Sequence, residues 1–123
     1  MACVLIADDN QLLRGMLRRF FEAEGFTVTV AIDGEDCLEK FQGQRFDIII
    51  CDIFMPGKGG LNAVQTIRSL ARDVPIIVMS GAERIETQIE SASGPIPTIA
   101  KPFRPSKLLA LVRECLVKAP SLG

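Results

Sequence analysis

Phe46-Asp47-Ile48-Ile49-Ile50-Cys51-Asp52 is an almost unbroken apolar run, rich in isoleucine, that stops on a carboxylate. A run with no polar alternation leaves no face for water. It predicts a strand buried on both sides, as in parallel sheets covered by helices. The next eight residues, 53–60, hold a proline and three glycines and predict a loop.

Outward from this strand the same alternation recurs, five strand–helix units in all. Cys3-Val4-Leu5-Ile6-Ala7 is a second buried run and ends at Asp8-Asp9. Asn10 suits an N-cap. Leu12, Leu13, Met16, Leu17, Phe20 and Phe21 then form a helical stripe opposite Arg14, Arg18, Arg19 and Glu22, with Gly25 as the stop. Residues 26–31 alternate as a strand, Asp33-Gly34 predicts a turn, and Cys37, Leu38 and Phe41 line a short helix. Past the loop, Leu61, Val64, Ile67, Leu70 and Ala71 line a third helix, and residues 75–79 form a strand ending at Ser80. Residues 83–92 predict a weaker helix, with Ile85 and Ile89 on one face. Residues 96–100 predict the fifth strand, followed at once by Lys101. Pro105 opens a last helix, with Leu108, Leu111, Val112, Cys115 and Leu116 inward. One domain over residues 1–118 is expected, with a frayed tail at 119–123. The class is α/β, a doubly wound sandwich on a parallel five-stranded sheet.

Composition narrows the function. The chain has 123 residues, 48% hydrophobic and 24% charged, which suits an ordered globular domain. Fourteen basic and 15 acidic residues give a net charge of −1, too little positive charge to neutralise a nucleic-acid backbone. No run approaches the roughly 20 apolar residues of a membrane span, and the first residues do not read as a secretory signal. A cytoplasmic location is expected. The chain has no histidine, which removes Ser-His-Asp and Cys-His catalysis and histidine-ligated metals. Its four cysteines, Cys3, Cys37, Cys51 and Cys115, form no CxxC pair and read as small apolar fillers.

Right-handed crossovers bring all strand C-terminal ends to one edge, where open α/β sheets bind ligands. Asp8, Asp9, Asp52, Ser80 and Lys101 all fall there. Singly, each has a plain structural use: an Asp-Asp pair or a serine can cap a helix, an aspartate can start a turn, and a lysine can sit in solvent. Together they suggest chemistry. Three converging carboxylates repel unless a cation sits among them, and an all-oxygen set favours Mg²⁺. A lysine and a hydroxyl beside a carboxylate nucleophile suit phosphoryl transfer.

The motifs Leu5-Ile6-Ala7-Asp8-Asp9-Asn10, Asp52-Ile53-Phe54-Met55-Pro56-Gly57, Val78-Met79-Ser80-Gly81 and Ala100-Lys101-Pro102-Phe103 stand in the order and spacing of one family. Over nearly its whole length the chain resembles the receiver domain of two-component response regulators. That resemblance implies a flavodoxin-like fold with strand order 2-1-3-4-5. It implies Asp52 as phosphoacceptor, Asp9 as a direct Mg²⁺ ligand, Asp8 acting through a water, and the Phe54 carbonyl as a further ligand. Lys101 would pair with the phosphoryl group, Ser80 would move toward it, and the Lys101–Pro102 bond would be cis. The implied partners are a histidine kinase or phosphotransfer protein as donor and a downstream output protein. No nucleic acid or membrane is implied, and the state is a monomer or a weak, phosphorylation-dependent dimer. Thr98 stands where the family usually has a switching aromatic. Phe54 and Ala82 flank the approach of hydrolytic water, and neither can hold it, so slow self-dephosphorylation is expected and no turnover enzyme.

Two other readings are weighed. An aspartate-nucleophile phosphohydrolase needs an acid two residues after Asp52, where this chain has Phe54. Intact Asp8, Asp9, Asp52 and Lys101 argue against a phosphorylation-independent pseudo-receiver that serves as a scaffold, whereas Thr98 and the weak fourth helix leave room for it. Nucleotide-binding loops are absent: there is no GxxxxGK[ST], and Asn62 interrupts any GxGxxG.

Overall fold

Every residue of Ile48–Asp52 is buried, and the sheet is assembled around this strand. A computed structural model describes residues 2–55, 59–81, 90–91 and 94–118. In chain order the elements are β1 (Cys3–Ala7), α1 (Gln11–Ala23), β2 (Thr27–Ala31), α2 (Gly34–Gly43), β3 (Ile48–Asp52), α3 (Gly59–Leu70), β4 (Ile76–Gly81), β5 (Glu90–Ser91), β6 (Gly94–Pro95), β7 (Thr98–Lys101) and α4 (Pro105–Lys118).

Five strands form one parallel sheet in the order β2-β1-β3-β4-β7. Counting only its own strands, this is the expected order 2-1-3-4-5. Strand side chains alternate between faces, so two cores result. Leu5, Ala7, Ile49, Cys51 and Val78 meet Cys37 of α2 and Ala63, Val64 and Ile67 of α3 on one face. Val4, Ile6, Ile48, Ile50 and Met79 meet Leu17 and Phe21 of α1 and Leu108 and Val112 of α4 on the other.

Local chemistry sets the boundaries. The Asn10 side chain accepts the Leu13 N–H at 3.0 Å and caps α1. At the other end Gly25, at φ 95°, reverses the chain. The Phe26 N–H donates to Phe21 O and the Gly25 N–H to Glu22 O, so the last carbonyls are satisfied. Asp33 is the N-cap of α2, accepting the Asp36 N–H at 2.7 Å, so the expected Asp33-Gly34 turn is instead a helix start.

Other expectations shift. The α1 stripe is wider than the face it buries: Leu17 and Phe21 are enclosed, whereas Leu12 is 85% exposed. In α3 the buried row is Gly60, Ala63, Val64 and Ile67. Leu61 is turned about 100° from Gly60 and is exposed, as is Leu70 in the last turn. The helix expected at residues 83–92 falls largely outside the described residues. Within them, Glu90 and Ser91 pair antiparallel with Pro95 and Gly94. Pro95 has no N–H to carry a helix on. The fifth sheet strand begins at Thr98, because Pro97 has no N–H to give; its carbonyl accepts from the Val78 N–H. Asp52 and Lys101 are the last residues of their strands. The 119–123 tail lies outside the described residues. All four cysteines are unpaired; Cys37 and Cys51 are buried, Cys3 and Cys115 half-buried. Among the described residues no helix is long and apolar enough to cross a membrane.

Candidate functional site

Asp8 follows β1, Asp52 ends β3 and Lys101 ends β7, so the sheet register alone brings them to one edge. Carboxylate oxygens of Asp8, Asp9 and Asp52 lie within 4.8 Å of one another. Asp8 and Asp52 are buried and Asp9 faces solvent. The Lys101 ammonium reaches between the buried pair, 2.7 Å from Asp8 Oδ2 and 2.8 Å from Asp52 Oδ2. Its side chain is only 25% exposed, so it is no solvated surface lysine.

Each of the two buried acids is held by backbone as well. Asp52 Oδ1 accepts the Phe54 N–H at 2.9 Å, and Asp8 Oδ1 accepts the Asn10 N–H at 2.8 Å. The Asp8-Asp9 pair therefore does not cap α1; Asn10 does. Asp8 Oδ2 touches Lys101 but accepts no well-directed hydrogen bond, a buried anionic oxygen left short of partners.

The electrostatics follow from burial and pairing. Burial pushes the Asp52 carboxyl above its ordinary value, while the Lys101 hydrogen bond and the Phe54 N–H pull it back and the Asp8 charge pushes it up again. Burial alone would pull the Lys101 ammonium down, but its contacts with Asp52 and Asp8 outweigh that and raise it. The neighbouring Cys51 thiol is held protonated by its hydrogen bond with Cys37 and by burial.

The remaining expected residues are placed less centrally. The Ser80 hydroxyl is buried at the end of β4 but donates to the Gly81 carbonyl at 3.2 Å, with no bond to Asp52. Phe54 is 57% exposed beside Asp52. Thr98, on β7, faces a groove shared with Lys107, Leu111 and Glu114 of α4. The Lys101–Pro102 peptide is cis. Ala82 lies outside the described residues.

Two features carry no signal in the side-chain pattern. Arg14 donates from Nη1 to the Asp8 backbone carbonyl at 2.8 Å, tying α1 to the acid-bearing loop. Gly60 presses on the end of β3: a β-carbon there would overlap the Asp52 carbonyl oxygen and stand 2.6 Å from its carbon. Beside Lys101, a groove lined by Asn10, Leu12, Leu13, Met16, Pro102 and Phe103 leaves apolar surface open to solvent.

Three buried or half-buried strand ends carrying two acids and a lysine, on this strand order, match a known domain. The family model for the response regulator receiver domain matches residues 4–113. The chain belongs to this family. The response regulator MprA of Mycobacterium ulcerans is 32% identical over 114 residues, covering 92% of this chain and 49% of the relative. The chain thus spans about half the length of such curated relatives. Among solved structures, the receiver domain of the Francisella response regulator 1452 has a TM-score of 0.85 at 28% identity, covering 96% of this chain and 98% of that one. Chemotaxis protein CheY4 of Vibrio cholerae has a TM-score of 0.80 at 31% identity, covering 94% and 98%. Response regulator TrrA of Thermotoga maritima, solved with Mg²⁺ and BeF, has a TM-score of 0.84 at 29% identity, covering 94% and 99%. The receiver's acidic pocket could bind a metal ion: three hard carboxylates, with one buried oxygen short of partners, fit a small divalent cation.

Proposed function

We propose that this receiver, as a domain over residues 1–118, accepts a phosphoryl group on Asp52 from a phosphohistidine donor and thereby switches a protein-binding surface. The observation that carries the reading is the buried Asp8–Lys101–Asp52 bridge with Asp9 at its mouth. An Asp52 oxygen attacks phosphorus, the phosphorus–nitrogen bond breaks, and its electron pair leaves on the donor imidazole. Lys101 releases Asp52 and pairs with a phosphoryl oxygen, as a compact ammonium can. Asp8, Asp9, Asp52 and the Phe54 carbonyl would hold Mg²⁺. When bound, it would neutralise charge on the phosphoryl oxygens. TrrA, which shares this fold, accommodates Mg²⁺ and BeF. Ser80 would swing from the Gly81 carbonyl toward the new anion, and coupling would proceed without an aromatic at Thr98.

The donor is a histidine kinase or phosphotransfer protein; the apolar groove beside Lys101 gives such a protein something to bury. The product acts on an output protein, in the cytoplasm, with no nucleic acid bound by this chain itself. The only chemistry is self-phosphorylation and slow hydrolysis, since Phe54 cannot orient water. Phe54, and no acid, stands two residues after Asp52, where a phosphohydrolase of the aspartate-nucleophile kind needs its second acid.

The test is intact-mass measurement after incubation with Mg²⁺ and acetyl phosphate. A gain of one phosphoryl group in the parent, absent in Asp52→Asn, is expected. No gain in the parent, or an equal gain in Asp52→Asn, would overturn the assignment.

A further inference from the structure

The backbone at the start of α2 stands against the first residue of α3, and glycines make that possible. Gly34 opens α2 without a positive φ, so its conformation does not call for glycine. Helix propensity favours alanine there. Space is the constraint. A β-carbon on Gly34 would overlap the Gly59 carbonyl oxygen and stand 3.0 Å from its carbon. The peptide after Gly59 leads straight into Gly60, which has no room for a β-carbon against the Asp52 carbonyl and lies 2.8 Å, by the same measure, from Ile53 Cα. Backbone meets backbone at both joints, so no flexible side chain can absorb a displacement.

We propose that Gly34 is a positioning residue for the phosphoacceptor: through Gly59 and Gly60 it sets where Asp52 and the Phe54 carbonyl stand. The inference rests on the reading of Asp52 and Mg²⁺ above. A methyl group at residue 34 forces a shift of roughly 1 Å, and a misplacement of that size costs about 100-fold in a positioned reaction. By reciprocity, whatever moves Asp52 is felt at the start of α2.

Gly34→Ala is compared with the parent and with Gly15→Ala, at a helical glycine where, outside the helix's own backbone, an added β-carbon would meet nothing nearer than Arg19 Nη1, at 3.8 Å. Without metal, the amide resonances of Asp52, Ile53 and Phe54 should move in Gly34→Ala and stay in Gly15→Ala. With Mg²⁺, Gly34→Ala should bind the ion more weakly and take phosphoryl from acetyl phosphate about 100-fold more slowly. A lower melting temperature with unmoved amides and parental Mg²⁺ affinity would make Gly34 merely structural and overturn the proposal. Should Gly34→Ala not fold, the parent decides: its Gly34 amide should shift when Mg²⁺ is titrated in, and an unmoved amide overturns the coupling. A parent that takes no Mg²⁺ contradicts the metal reading instead, and the metal-free amide comparison still judges Gly34.

Discussion

Removing the Lys101 ammonium would leave Asp8 and Asp52 buried side by side with no cation between them. Breaking such a bridge is costly because the remaining charges stay desolvated. Lys101→Ala should therefore lose about 2 kcal/mol in urea unfolding at neutral pH, at the low end because the lysine keeps some solvent contact. The raised Lys101 value fixes the sign: its contribution is complete below the ordinary 10.5 and fades as the pH climbs through the folded value. Asp52 works the other way. Its carboxyl is raised on folding, so the folded state binds the extra proton, and stability falls as the pH rises above the ordinary 3.8. Metal-free Asp52→Asn should be more stable than the parent near pH 7, and the gap should close in acid. Equal stability at both pH values would contradict the burial argument. Phe54 bears on lifetime. Phe54→Asn gives an attacking water a polar partner and should speed loss of the phosphoryl group by at least about tenfold, followed by mass in Mg²⁺ buffer.

At the scale of elements, α3 shows how one side chain can finish a helix. Arg68 Nη1 donates to the carbonyls of Ala71, Arg72 and Val74, at 3.2, 2.8 and 2.8 Å, and so secures the passage from α3 into β4. Arg68→Ala should cost about 2 kcal/mol, measurable as a lower urea midpoint with an unchanged slope. This role was not legible: a guanidinium serving backbone carbonyls looks like any polar residue between apolar ones. Arg14 on the Asp8 carbonyl is hidden in the same way. By contrast, α1 was legible at both ends, because Asn10 and Gly25 act locally. β1, β3 and β4 were legible because a strand enclosed on two faces admits no polar residue until it ends. That same rule exposed Asp8, Asp52 and Ser80. Gly34 was misread, since a glycine that permits a turn and one that permits close approach are identical in sequence. Leu12, Leu61 and Leu70 look like core until the helix is seen to turn them outward.

For the whole molecule, a cation that binds only the folded state adds stability by mass action, about 2.7 kcal/mol at a concentration 100 times its Kd. Saturating Mg²⁺ should raise the melting temperature of the parent. Asp9→Ala should keep its metal-free melting temperature and lose this increment; an equal Mg²⁺ shift in both proteins would remove Asp9 from the ligand set. The place of Lys101 in the chain has a consequence for how the molecule comes to exist. Ribosomes deliver β1, α1, β2, α2 and β3 first, and with them both buried acids; the counter-charge waits on β7, outermost in the sheet. Until β7 docks, closing β1 against β3 brings two carboxylates together with no cation between them, which disfavours early closure of the nascent half at neutral pH. Docking of the final strand then adds an electrostatic gain to the packing gain, so the last-made part of the sheet favours the closure of the first.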